Sequence, residues 1–199
     1  MSTSASPKST REAILDAAVR LVGERGLGVT LEGVADEAGL SRQTVYVHFG
    51  SRTGLLIAMV QHMDESGTLL ELVQRVFDAR TALEALDAVV TVHAEYHPVA
   101  YPVARVLMAS RHDDEAMKAA WDERMASRRN LYHGVVERLH RDRLLTSHWD
   151  IETATDIVWG LTSWQLWEAL VVDRGWTKDD YLRHLRTILR RTVVDGREA

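Results

Sequence analysis

The chain has 199 residues, 46% of them hydrophobic and 27% charged, with a formal net charge of −5. This is an ordinary globular composition, and the lack of cysteine excludes disulfides, thiolate zinc sites and thiol nucleophiles. No apolar run reaches the roughly 18 residues of a membrane span, and the polar start MSTSASPK lacks a signal-peptide core, so we expect a flexible arm over residues 1–9 of a cytoplasmic protein that does not enter a membrane.

Apolar residues recur at helical spacing almost throughout, strand-like alternation is nearly absent, and the only prolines are Pro7, Pro98 and Pro102. An all-α fold of about nine helices follows. The first helix opens at STRE, where Ser9 and Glu12 form a capping-box pattern, carries Ile14, Ala17, Ala18, Leu21 and Val22 on one stripe, and stops near Gly26. Thr30 caps a short second helix with Leu31, Val34, Ala35 and Ala38 facing inward. Gly39 closes it, Leu40 plugs the turn and Ser41 caps a third helix. A small residue (Ala35), a glycine four later, an apolar residue and a cap make helix-turn-helix spacing, since Ala35 and Gly39 let two helices cross closely.

On a helical wheel of Arg42 to Phe49, Val45 and Phe49 define the buried side, so Gln43 and Val47 point directly away from it, flanked by Thr44, Tyr46 and His48, with Arg42 at the N-terminus. Amide, hydroxyl, phenol, imidazole and an apolar tip are the groups that read base edges and hold phosphates. Gln43 suits adenine and Val47 a thymine methyl, while Thr30, Thr44, Tyr46 and Arg52 suit phosphates beside the N-termini of helices two and four. The charge pattern agrees. The six Lys/Arg and six Asp/Glu of residues 1–55 cancel, yet no acid occurs between Glu37 and Asp64, a window holding Arg42, His48, Arg52 and His62.

The stretch LEGVADEAGLSRQTVYVHFGSRTGLL resembles the N-terminal domain of TetR-family transcriptional regulators, at Thr30, Ala35, Gly39, Ser41, Thr44, Tyr46, His48, Phe49, Ser51 and Arg52. Gly50 departs from it, standing where lysine or proline is more usual. The resemblance covers about residues 10–60. It implies a homodimer that represses from a palindromic, inverted-repeat operator on double-stranded DNA and releases it when a small molecule binds the C-terminal domain. On this reading residues 10–54 form the helix-turn-helix DNA-binding domain, and residues 55–199 a larger helical domain for ligand binding and dimerisation.

Helix four starts near Arg52 and turns Leu55, Leu56, Met59, Val60 and Met63 inward; further helices are expected at about 68–79, 82–97, 102–110, 113–143, 150–174 and 177–194. Ile157 to Val172, with Trp159, Leu161, Trp164, Trp167 and Leu170, leaves no polar stripe, which points to burial all round and a partner subunit on one side. The last helix has Asp180 in a capping position, turns Leu182, Leu185, Ile188 and Leu189 inward, and lines its other face with Arg183, Arg186, Arg190 and Arg191. Helices 150–174 and 177–194 of two chains are therefore the expected dimer interface. The Gly175-Trp176 turn, acidic cap and Tyr181 also look like a C-terminal pattern of the TetR family.

Candidate ligand-binding residues are Met63, His93, Tyr96, His97, Met108, Trp121, Met125, His133, Trp159 and Ser163, which combine aromatic or polarisable bodies with a few polar tips and suit a mainly apolar or aromatic effector. His93 and His97 have the four-residue spacing of a helical metal pair, but spacing fixes no acidic third ligand, so no metal or cofactor is expected. The competing readings are a helical enzyme using a C-terminal cavity and an interaction module that does not bind DNA. Against the first, the chain has no nucleophile elbow, metal triad or phosphate loop, and we expect no catalysis.

Overall fold

Ser9 opens α1 (Thr10–Arg25) with a reciprocal cap: its backbone N–H donates to Glu12 Oε2 at 2.7 Å, and the Glu12 N–H donates to Ser9 Oγ at 3.2 Å. The structure, a computed structural model, describes residues 9–196 except Ser66, and only the backbone of Leu27. The expected arm over residues 1–9 thus lies, but for Ser9, outside the described residues.

After a short 3-10 turn (Gly26–Gly28) come α2 (Leu31–Ala38), α3 (Arg42–Phe49) and α4 (Arg52–Asp64), each opened by a side-chain cap: Thr30 to Gly33 N–H, Ser41 to Thr44 N–H and Ser51 to Gly54 N–H. Gly39 ends α2 at φ +66°, ψ 32°, the left-handed conformation a helix C-cap requires and glycine adopts without Cβ strain. α1 packs on α2 and α4, and α2 on α3. Their core is Ile14, Leu15, Ala17, Ala18, Leu21, Val22, Val34, Ala35, Val45, Leu55, Leu56 and Met59, all at most 2% exposed. Each such Leu, Ile or Met contributes roughly 1.5–3 kcal/mol through burial.

The chain continues through α5 (Gly67–Asp78), α6 (Ala82–Ser110), α7 (Glu115–Arg141), α8 (Ile151–Leu161), α9 (Trp164–Trp167, prolonged as a π turn over Glu168–Asp173) and α10 (Lys178–Val193). Among the described residues the one β feature is the isolated antiparallel bridge Leu145–Val194. The helices form two compact units. One holds the described residues up to Glu65 with Pro102–Trp121; the other holds those of Ser66–Tyr101 and those from Asp122 on.

Two boundaries differ from the sequence reading. Helices expected at 82–97 and 102–110 are one 29-residue helix, and Pro98 does not end it. Each proline removes a backbone bond, but Tyr96, Ala100, Val103, Ala104, Val106 and Leu107 are buried on both sides of the prolines, so packing carries the helix across while Pro98 stays exposed. The helix expected at 150–174 breaks at Thr162, where Ser163 caps α9 by accepting from Leu166 N–H.

In the second unit α10 buries Tyr181, Leu185, Leu189 and Val193, and its capping box pairs Thr177 with Asp180. Ile188, expected inward, is 40% exposed. Arg186 and Arg190 do not join an outer basic face: Arg186 donates to Thr91 Oγ1 at 2.9 Å, and Arg190 grips Asp87 at 3.0 and 2.5 Å.

Candidate nucleic-acid interface and a buried polar cluster

The third helix owes its outward face to its anchors. Val45 is fully buried, Phe49 is half-buried, and the cap at Ser41 fixes the helix start. The opposite face is open: Tyr46 is 55% and Val47 72% exposed, and Arg42, Gln43 and His48 are exposed beside them. Thr44 is half-buried, its hydroxyl 2.8 Å from Ser41 Oγ, and Thr30 is exposed at the N-terminus of α2. The structure thus brings Thr30, Arg42, Gln43, Thr44, Tyr46, Val47 and His48 onto neighbouring elements of one unit, with a helix cap, an aromatic hydroxyl and a guanidinium available to phosphate oxygens.

Two basic residues of the acid-free window have other work. Arg52 turns inward, its Nε donating to the Val29 carbonyl at 2.8 Å, so it fastens the start of α4 to the segment before α2. His62 lies 3.1 Å from Asp16, tying α4 to α1. The positive character facing outward therefore rests on Arg42 more than on the count of basic residues. Both pairings are tertiary, so the sequence window carries no sign of them.

The candidate ligand residues divide between the units. In the first, Met63 and Trp121 are buried and Met108 is half-buried, with Arg111 over the Trp121 ring at 4.9 Å. In the second, His133 is held by Glu152 at 3.0 Å and Glu137 at 3.7 Å, Ser163 is committed to its cap, Tyr96 is buried in α6 and Met125 half-buried in α7.

His93 and His97 belong to a buried polar cluster. His93 Nδ1 is hydrogen-bonded to His97 Nε2 at 2.7 Å, and His93 Nε2 to the Tyr132 hydroxyl at 2.5 Å. His97 stacks on Trp164 with centroids 3.7 Å apart and meets the edge of Trp167, which packs on Tyr101; the Tyr101 hydroxyl in turn donates to Glu168. These tryptophans, 8% and 4% exposed, are covered from within the chain, not by a partner as their sequence context suggested. Arg128 lies over the rings of Tyr132 (5.7 Å) and Trp159 (5.1 Å) and donates through Nη2 to the Trp159 carbonyl at 3.2 Å.

Burial pushes both imidazoles well below the usual histidine range; the Arg128 charge adds to this at His93, and His93 and then Arg128 add to it at His97. Burial raises the Tyr132 phenol. The cluster is thus a neutral network around one cation. Arg128, Tyr132 and Tyr101 were missed in the sequence, while Trp164 and Trp167 were read there as buried but not as part of this cluster. The one available signal was the four-residue spacing of Arg128 and Tyr132, which puts both on one face of α7.

Comparison with known proteins places this geometry. Residues 14–59 match the profile described as bacterial regulatory proteins, tetR family. The HTH-type transcriptional regulator BetI of Rhizobium meliloti is 41% identical over 54 residues, which are 27% of each chain, so the likeness spans about a quarter of the length of such relatives. Two solved structures share the fold. A transcriptional regulator from Saccharomonospora viridis in complex with choline superposes with a TM-score of 0.81 at 17% identity, covering 93% of this chain and 97% of that one. FadR from Bacillus subtilis in complex with stearoyl-CoA does so with 0.74 at 18% identity, covering 89% and 96%. Among the described residues no helix is long and apolar enough to cross a membrane. Residues 14–59 thus form an N-terminal domain of the kind found in the tetR family of bacterial regulatory proteins.

Proposed function

We propose that the protein is a ligand-responsive repressor that binds an inverted-repeat operator as a homodimer and leaves it when a small, mainly apolar or aromatic effector occupies the second unit. The observation that carries this reading is the outer face of α3, where Gln43 and Val47 stand exposed on a helix capped at Ser41 and anchored by Val45. A side-chain amide can bond adenine through both its groups, and a branched apolar tip can cover a thymine methyl. Arg42, Thr30, Thr44 and Tyr46 position the helix on phosphates, which fixes register without reading sequence.

Two copies place two such helices on one duplex, and reading successive major grooves requires a separation of about 34–36 Å. α6 and α7 have residues in both units, and α7 carries Arg128 and Tyr132 of the buried cluster. An effector binding one arrangement of these helices more tightly shifts the population toward it by its differential affinity. A change of a few ångströms in the separation takes one half-site out of register. The two same-fold proteins above bind chemically different ligands, choline and stearoyl-CoA, so the effector class has to be read from this chain's own residues.

The test is selection from random duplex DNA by the purified protein at about physiological salt. Enrichment of an inverted repeat is the expected result. No enrichment from a folded dimer would remove the reading of the unliganded protein as a repressor.

A further inference from the structure

Among the described residues, no carboxylate pairs with the cation at the centre of the buried cluster. Arg128 Nε and Nη1 are both buried with no hydrogen-bond partner, as is the indole Nε1 of Trp159, the residue whose ring the guanidinium covers. The adjacent Arg129, on the exposed side of α7, shows what the same group does where acids are at hand: it takes Glu152 at 2.7 Å and Asp156 at 2.8 Å. Three further acids of this unit are engaged elsewhere, Asp87 with Arg190, Glu95 with Lys178 and Glu168 with Tyr101. Among the described residues, the groups that feel the Arg128 charge are the imidazoles of His93 and His97 and the phenols of Tyr132 and Tyr181, all neutral and buried.

Buried polar groups are nearly always satisfied, and a buried charge without a partner is among the costliest features a fold can hold. A guanidinium grips a carboxylate along either of two edges, Nε with Nη2 or Nη1 with Nη2. Both edges here carry an unpartnered N–H. The rings of Tyr132 and Trp159 flank the same group and offer flat apolar surface to whatever the acid is attached to.

We infer that the second unit binds a carboxylate-bearing small molecule with an apolar or aromatic body, its acid held by Arg128 with the Trp159 indole N–H as a further donor. This rests on the effector reading above and gives it a charge sign. An effector of positive charge is disfavoured at this site by the Arg128 cation.

The test is isothermal titration of the full-length protein with phenylacetate and octanoate, each against its neutral counterpart, 2-phenylethanol and octanol, and with phenethylammonium. The expected result is that at least one acid binds about 10–100-fold more tightly than its alcohol, the range of a charge-assisted bond. Arg128→Gln, which keeps a donor for the Trp159 carbonyl, should abolish that preference, and Arg129→Gln should leave it intact. Thermal melts of both variants establish that they fold.

Equal binding of acid and alcohol, preference for the ammonium, acid binding that survives Arg128→Gln, or no binding of either acid at millimolar concentration would each overturn the inference, leaving water as the partner of these N–H groups. The titration contains no DNA, so the two readings fail separately. Acid binding without operator release keeps the site and removes its regulatory role, whereas operator enrichment without acid binding keeps the regulator and removes the site.

Discussion

The Thr53 hydroxyl donates to Asp114 Oδ2 at 2.6 Å, joining the first turn of α4 to the turn between α6 and α7 across 61 residues of sequence. The same carboxylate caps α7, its Oδ1 accepting from the N–H groups of Ala116 and Met117. The Thr53 bond foremost, then the Met117 and Ala116 amides, hold the Asp114 carboxyl below its ordinary value of 3.8. A carboxylate with a depressed folded pKa contributes stability in full above its unfolded value and loses it as pH falls through the lower folded one. Thr53→Val should therefore raise the Asp114 pKa toward 3.8, read by NMR of the side-chain carboxyl, and lower the melting temperature at pH 7 more than at pH 2.

Gly54 sits where the entry to α4 passes under the end of α3. A Cβ there would lie 2.2 Å from the Phe49 carbonyl oxygen, a backbone atom with no rotamer to yield. Gly54→Ala should cost about 1–3 kcal/mol of overpacking strain, measured by urea unfolding. A wild-type midpoint would show that the α3–α4 approach is looser than 2.2 Å implies.

The interface makes separable demands on three residues. Gln43→Ala should reduce discrimination for the selected operator by about 1–3 kcal/mol while sparing nonspecific binding. Arg42→Ala should weaken binding to all duplexes and lower the salt slope by roughly one. Arg52→Ala differs from both: losing its bond to the Val29 carbonyl should lower stability by about 1.5–3 kcal/mol, seen by unfolding without DNA. A thermally unchanged Arg52→Ala protein with a reduced salt slope would return Arg52 to the phosphate contacts.

Self-association can be tested at the last helix. Ile188 is 40% exposed on α10 and Val172 51% exposed before it, beside half-buried Leu166 and Leu170. If this surface joins two copies, Ile188→Glu should shift light scattering from twice the 22.5 kDa chain mass toward one, since an unpaired carboxylate is costly in an apolar interface. An unchanged mass would place the dimer contact elsewhere.

Legibility in the sequence followed the range of the interactions. α1 to α4 are capped by residues adjacent to their ends, so Ser9, Thr30 and Ser41 announce the first three, and one buried residue, Val45, sets the outward face of α3. The prolines of α6 misled because proline's local cost is fixed while the packing that overrides it comes from distant chain. The fate of Arg52, the in-chain cover of Trp164 and Trp167, and the lack of an acid at Arg128 are likewise tertiary facts. A four-residue spacing could group Arg128 with Tyr132 but could not show that no carboxylate among the described residues pairs with Arg128.

The buried imidazoles predict a limb of instability at mildly acid pH. His93 and His97 have folded pKa values well below 6.5, chiefly through burial. Between 6.5 and those lower values the unfolded chain binds protons that the folded chain refuses, so stability is full above about pH 6.5 and falls as pH is lowered through that window. Each histidine can contribute a slope of up to about 1.4 kcal/mol per pH unit. Urea unfolding between pH 7.5 and 5 should show the decline, and His97→Gln, whose amide can serve His93 Nδ1 as donor or acceptor, should flatten it. Arg128→Gln should flatten it further by removing a positive charge that opposes protonation of both rings. A stability profile level down to pH 5 would mean that the folded protein accepts the protons, and that these histidines are neither as enclosed nor as close to Arg128 as their geometry places them.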